Sequence, residues 1–191
     1  MPLTKIKSLG ITDGTIVNAD INASAAIDAT KLSGVGGLTE ADQWRLSASF
    51  TTTGDNDITS NLERVDTTTG QTGLPLGTGM TQSSGVFTFP STGYYLIAWN
   101  ASLYNGGSDA YIGLTLRFSS DSGSTYTDIS DARGSVNGTY DGTSGIAILD
   151  ITNISTNKIK FQALNIGSGS QLDGSTTNNL TYFTFTKLGN T

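Results

Sequence analysis

Apolar and polar residues alternate in several short segments, and this period of two most constrains what the chain can fold into. Apolar residues occupy every second position in three segments. They are Tyr95, Ile97, Trp99, Ala101 and Leu103; Ile112, Leu114, Leu116 and Phe118; and Ile159, Phe161 and Ala163. Such alternation is typical of strands with one buried face. Runs of Gly, Asn, Asp and Ser separate the segments, as at 105–109 and 167–169. We therefore predict an all-β sandwich or jelly roll.

Two segments, 145–151 and 180–188, are apolar at both odd and even positions. A strand of this kind is covered on both sides, either within its own fold or by another subunit. Because one sandwich leaves such surface uncovered, we predict that five residues lie at an interface between subunits. They are Ile146, Ile148, Tyr182, Phe183 and Phe185.

The N-terminal segment has a different rhythm. Isoleucine recurs every five residues, and the series then continues with one slip: Ile6, Ile11, Ile16, Ile21, Ile27 and Leu32. A period of five fits neither a helix nor a strand, so these residues need neighbouring coils or chains to be buried. We predict a short extended arm over residues 1–34 that forms a shaft or docks on a partner; the alternative is a disordered polar leader. A Gly-rich junction over 35–42 and a knob over 43–191 would follow.

Composition excludes several functions. The chain has no His and no Cys, which removes Ser-His-Asp and Cys-His catalysis and the usual zinc ligands. Its net charge is −6, whereas nucleic acid and anionic lipid need clustered Lys and Arg. No apolar run reaches the length of a membrane span. We expect no enzyme, no cofactor, no nucleic-acid partner and no membrane insertion.

Residues 84–97 contain a recognisable motif. The sequence Gly85-Val86-Phe87-Thr88-Phe89-Pro90-Ser91-Thr92-Gly93-Tyr94-Tyr95 resembles the G-x-F-x-x-P-x-x-G-x-Y signature of the tumour-necrosis-factor-like superfamily, especially the globular heads of complement and collagen-like proteins. Segments 149–162 and 181–189 resemble that family's later hairpin and terminal core strand, although the hairpin lacks the family's Gly-Asp pair. The resemblance spans about 43–189. It implies a homotrimeric jelly roll.

Residues 10–27 carry a second resemblance, to repeats at the start of structural and tail-fibre proteins of marine tailed phages. It implies a virion-surface protein made in the host cytoplasm without a signal peptide, as tail-fibre tip or capsid decoration. The expected partners are other copies of the chain, capsid or tail proteins that hold the arm through its Ile and Leu residues, and a host-surface glycan or protein. The alternative is a secreted bacterial adhesion or matrix module with the same trimeric head.

Loops on a rigid sandwich are the expected receptor surface, since they tolerate variation. The candidate receptor-contact residues are Asn105, Asp109, Tyr126, Asp131, Asn137 and Tyr140. The two tyrosines would stack on sugars or pack on the sandwich edge. Asp55-Asn56-Asp57 distantly resembles a calcium loop, but Ser60 stands where that loop requires Gly, which favours a plain turn.

Overall fold

A computed structural model describes residue 21 and residues 37–66, 73–107, 109–134 and 140–191. From Leu38 onward, the described residues form one compact unit of twelve strands. The strands are β1 Ala41–Leu46, β2 Gly54–Asp57, β3 Leu62–Arg64, β4 Thr81–Ser83, β5 Val86–Thr88, β6 Gly93–Tyr104, β7 Ile112–Ser119, β8 Thr127–Gly134, β9 Tyr140–Ile151, β10 Lys158–Ile166, β11 Gln171–Leu172 and β12 Tyr182–Gly189. No helix occurs among the described residues. The all-β prediction is confirmed.

The strands form two antiparallel sheets. In sheet I, β6 pairs with β9 along its whole length, and its other edge is shared by β12 and β11. β1 and β3 then continue the sheet beyond β12. In sheet II the order is β4-β5-β10-β7-β8, with β2 also paired to β10. β9 and β8 are each paired on one side only, and they lie close to each other at the same side of the sandwich.

The alternation predicted from the sequence sets which faces meet. In β6, Tyr95, Ile97, Trp99, Ala101 and Leu103 are all buried, while the residues between them are partly or fully exposed. The odd positions of β10 follow the same pattern through Ile159, Phe161 and Ala163. The inward faces of the two sheets thus supply a single hydrophobic core.

An aromatic cluster joins the two sheets at the centre of this core. Phe161 of sheet II stacks on Phe183 of sheet I with ring centroids 4.1 Å apart. Phe87, from sheet II, lies 5.1 Å from the ring of Phe185 and meets Trp44 edge-on at 5.6 Å. Each such pair is worth about 0.5–1.5 kcal/mol beyond the area it buries.

The Gly85–Tyr95 motif fixes where this cluster starts. Gly85 has φ +81°, and a β-carbon there would lie 2.0 Å from the carbonyl oxygen of Ile58. Gly93 has φ +141°, and a β-carbon there would lie 2.3 Å from the carbonyl oxygen of Gly189. Phe87 and Tyr95 fill the core between these turns, and the Tyr95 hydroxyl donates to the carbonyl oxygen of Ser91. The motif thus supplies two tight turns and the core residues between them.

The start of β1 is held by a buried carboxylate. Asp42 accepts hydrogen bonds from the indole of Trp44, from the backbone N–H of Met80 and from the guanidinium of Arg64 at 2.9 Å. β1 begins at Ala41, inside the stretch assigned to the junction over 35–42. The boundaries at 34 and 43 stay predictions.

Among the described residues, no helix is long and apolar enough to cross a membrane.

The core position of Phe185 gives a stability prediction. Phe185→Ala removes a fully buried ring and leaves a cavity between the sheets, so it should lower the free energy of unfolding by about 3–5 kcal/mol. Urea unfolding at fixed protein concentration measures this. Leu74→Ala, at a position that is 79% exposed, is the control and should change stability by less than about 0.5 kcal/mol. Equal effects of the two substitutions would contradict the position of Phe185 in the core.

Candidate functional site

The outer face of sheet I carries an exposed apolar strip at its β9 edge. Ile146 and Ile148 point away from the core, and their exposed fractions are 63% and 61%. Across the ladder, Ile146 lies opposite Ala98 and Ile148 lies opposite Leu96, both partly exposed on the same face. We call Leu96, Ala98, Ile146 and Ile148 the outer apolar strip.

A depression of about 450 Å³ lies at one end of the outer apolar strip. It is lined by Ala98 and Asn100 of β6, by Ser144 and Ile146 of β9 and by Tyr182 of β12.

Gly145 sets the position of β9 above the core. A β-carbon at Gly145 would lie 2.1 Å from the Trp99 ring, so only glycine lets β9 pair with β6 over that indole. Among the described residues, the Trp99 indole N–H has no hydrogen-bond partner. Close packing of Gly145 on Trp99 leaves the flanking Ile146 directed outward.

The opposite side of the outer face is polar. Arg45 of β1 is fully buried there, although it points away from the core between the sheets. Its guanidinium contacts Glu63 at 2.7 Å and Asp66 at 3.3 Å, and it also donates to the backbone carbonyl of Thr176. The β1 side of the outer face thus carries ion pairs, whereas its β9 side carries the outer apolar strip.

Two predicted interface residues are corrected by the structure. Phe183 and Phe185 lie on the inner face of β12, with exposed fractions of 0% and 1%, because sheet II covers them. The segment 180–188 is thus apolar on its inner face, while Thr184 and Thr186 lie on the outer one. Tyr182, also on the outer face, borders the depression. The interface role of Ile146, Ile148 and Tyr182 stays a prediction.

The predicted receptor loops have mixed outcomes. Asn105 is buried, and its side-chain oxygen accepts from the N–H of Gly107 and the hydroxyl of Ser170, so its assignment as a contact residue is wrong. The Asp109 carboxylate accepts from the N–H of Gly167 at 3.2 Å and from the hydroxyl of Ser170. Both side chains shape the loops between β6 and β7 and between β10 and β11.

Two further receptor candidates are accessible. Asp131 is exposed and pairs with Arg133 at 2.9 Å. Tyr140 is exposed and packs beside Tyr104, with ring centroids 5.2 Å apart. Asn137 lies outside the described residues. A receptor role for Asp131, Tyr140 and Asn137 stays a prediction.

The predicted docking residues are mostly beyond the described part of the chain. Ile21 is exposed. Ile6, Ile11, Ile16, Ile27 and Leu32 lie outside the described residues, and the docking role of the arm stays a prediction.

Tyr126 lies beside a charged cluster on sheet II. Lys160 places its ammonium 3.9 Å from the centre of the Tyr126 ring and 2.5 Å from Asp57, which also pairs with Arg117. Burial, and then the negative charges of Asp57 and Asp121, raise the pKa of the Tyr126 phenol. Asp57 is thus tied up in ion pairs. Among the described residues, no group of three or more His, Cys, Asp or Glu is placed to hold a metal ion.

Comparison with known proteins places the fold. No protein-family model and no curated protein sequence matches the chain. Solved structures do match. Murine APRIL at pH 5.0 covers 78% of this chain and 98% of its own, with a TM-score of 0.58 and 13% identity. Eiger TNF from S. frugiperda covers 79% and 93%, with a TM-score of 0.58 and 10% identity. The globular domain of zebrafish complement 1qA covers 80% and 99%, with a TM-score of 0.50 and 14% identity.

The chain therefore has the jelly-roll fold of tumour-necrosis-factor-like and complement globular-head domains, as the Gly85–Tyr95 motif predicted. At 10–14% identity, the likeness establishes the fold alone. The homotrimer and the N-terminal arm, which were part of the same expectation, stay predictions.

The turn beside Tyr126 gives a pH prediction. Hydrogen bonds from the side chain and backbone N–H of Thr125, and from the hydroxyl of Ser119, lower the pKa of Asp121 to about 2 from its usual 3.8. Because the folded-state pKa is depressed, the stabilisation of the turn by Asp121 is present above the unfolded-state pKa and is lost as the pH falls through about 2.

Carbon-detected NMR of the Asp121 carboxyl should show a titration midpoint near this value, and Asp121→Asn should shift the Thr125 amide resonance at neutral pH. A midpoint at the ordinary value for Asp would show that these hydrogen bonds do not form in solution.

Proposed function

We propose that the chain is a non-enzymatic virion structural protein: a trimeric jelly-roll knob displayed on a phage particle, joined to it by residues 1–34 and contacting the host surface. Two parts of this proposal rest on separate observations. The outer apolar strip supports the trimer, and the repeats at 10–27 support the virion.

The outer apolar strip is the observation that carries the trimer. Isolated exposed apolar residues are ordinary, but Ile146 and Ile148 are successive outward residues of one strand and adjoin Leu96 and Ala98. A contiguous apolar surface beside a depression is typical of a protein interface.

The edge position of β9 supports the same conclusion. β9 has twelve residues and pairs on one side with β6, which makes it the long edge strand of sheet I. Long edge strands with exposed apolar residues promote uncontrolled pairing between chains unless they are covered. A closed symmetric oligomer covers the edge in every copy, and the family resemblance implies three copies.

The N-terminal repeats support the virion setting. Residues 10–27 resemble the repeats that begin phage structural and tail-fibre proteins, and they precede the knob in sequence. The compact unit starts at Leu38 and contains the whole jelly roll. We therefore propose that the knob forms the trimer and contacts the host surface, whereas the arm binds capsid or tail proteins.

Charge in the outer apolar strip should separate the copies. The double variant Ile146→Asp, Ile148→Asp places like charges at the contact, so native mass spectrometry at micromolar concentration should show trimer for the native chain and monomer for the variant. The monomer should stay folded by circular dichroism, because both side chains lie outside the core. Leu74→Asp, on an exposed loop position, is the matched control and should stay trimeric. A monomeric native chain at that concentration would refute the proposal.

Removal of the arm should abolish assembly on the particle without weakening the knob. A fragment of residues 38–191 keeps all twelve strands of the described part of the chain, so it should melt close to the full chain. It should fail to join particles assembled without the native copy, whereas the full chain joins them. Equal uptake of both forms, measured by mass spectrometry of purified particles, would remove the docking role.

A further inference from the structure

A cavity of about 250 Å³ opens beside Lys160 on sheet II, away from the outer apolar strip. Four segments that are distant in sequence line it: the end of β2, the β4–β5 turn, the β7–β8 turn and the middle of β10. The two turns have the same form. Ser84-Gly85 and Ser122-Gly123 both have positive φ at both residues. Two tight turns with left-handed backbone therefore form part of the cavity wall.

The charges at the cavity are matched. The Lys160 ammonium lies 2.5 Å from Asp57, and Arg117 lies 3.3 Å from the same carboxylate and 2.7 Å from Asp128. Each of these charged side chains already has a partner of opposite charge, so none is left to pair with a charged ligand. Asp57 also accepts from the side-chain amide of Gln162 at 3.2 Å. Three donors therefore occupy its roughly four acceptor sites, and the remaining site lies beside the ammonium donors of Lys160, an arrangement that suits neighbouring hydroxyl groups.

The remaining polar lining consists of hydroxyl groups. Thr59, Ser84 and Ser122 line the cavity with Tyr126. The Tyr126 hydroxyl is buried and, among the described residues, has no hydrogen-bond partner. A β-carbon on Gly123 would lie 3.1 Å from this oxygen, so the backbone of Gly123 packs closely against the phenol hydroxyl. An unmet buried hydroxyl costs about 1–3 kcal/mol, so a ligand hydroxyl that displaced the Ser122–Gly123 turn and reached this oxygen would recover part of that cost.

We propose that this cavity binds one neutral sugar ring, held by the Lys160–Asp57 pair, by the lining hydroxyls and by the edge of Tyr126. The volume is slightly below the range of about 300–1,000 Å³ for sites of drug-sized ligands, which fits a single ring better than an oligosaccharide. The inference deepens the host-contact part of the proposed function and rests on it for its biological setting. The chemistry of the cavity itself needs neither the trimer nor the arm.

The test follows backbone amides of the full-length protein by NMR during titration with three neutral probes, the methyl glycosides of glucose, galactose and mannose. At least one should shift the amides of Gly85 and Gly123 in a saturable manner. Methyl glucuronide, in which a carboxylate replaces the hydroxymethyl group of the glucose probe, should bind more weakly than methyl glucoside.

Two variants separate binding from folding. Tyr126→Phe removes one hydroxyl, so it should weaken binding by about threefold or more, while the sugar-free variant melts at or above the native temperature because an unmet polar group is gone. Thr59→Trp fills the cavity from an exposed position and should abolish binding. Tyr94→Phe, at an exposed position of β6 on the other sheet, is the control and should leave the affinity unchanged.

Three results would overturn the inference: no shift with any neutral probe, an unchanged affinity in both cavity variants, or equal affinity for the glucuronide. The titration is repeated on the Ile146→Asp, Ile148→Asp variant. Sugar binding by that monomeric variant would show that the cavity acts without the trimer. A native chain that binds sugar but stays monomeric would support the cavity while contradicting the proposed assembly, so the two proposals fail separately.

Discussion

The contact between Phe161 and Phe183 is the interaction on which the rest of the structure depends. These rings come from different sheets, stack at 4.1 Å, and are ringed by Phe87, Phe185 and Trp99. With no disulfide in the chain and no metal cluster among the described residues, burial between the sheets is what stabilises the sandwich. Every outward surface follows from it. Because the inner positions of β9 and β12 pack toward this cluster, Ile146 and Tyr182 point outward.

The outer face of sheet I has a polar region and an apolar region. Around Arg45 the polar groups form hydrogen bonds and ion pairs with one another, and the guanidinium is covered by Glu63 and by the backbone of Thr176. Around Ile146 and Ile148 nothing in the described chain covers the apolar surface. The first region is covered within one copy, whereas the second is the surface that the proposed trimer would bury.

Sequence reasoning predicted the features that depend on local period and failed where long-range contacts decide. The alternation in β6 and the glycines of the Gly85–Tyr95 motif were sufficient for the fold class. Phe183 and Phe185 were assigned to the wrong face. Segment 180–188 is apolar at both odd and even positions, and such a run does not reveal which face the second sheet covers. Arg45 gives the same lesson: alternation puts it on an outward face, yet segment 176–179 buries it. Asn105 looked like an exposed loop residue, but Ser170, distant in sequence, draws it inward. The cavity beside Lys160 joins four distant segments. The sequence drew attention to Asp57, Gly85 and Tyr126 separately, but it did not show that they meet.

The central claim is that three copies meet through the β9 side of sheet I, and distances between spin labels test it most directly. The chain has no cysteine, so Asp150→Cys, at the exposed end of the outer face of β9, takes a single label per copy. Asp131→Cys, on β8 of sheet II, provides the comparison. We predict by double electron–electron resonance that the label at residue 150 gives one defined inter-copy distance with a three-spin signature, shorter than the distance at residue 131. Absence of coupling at residue 150, or a shorter distance at residue 131, would contradict the account.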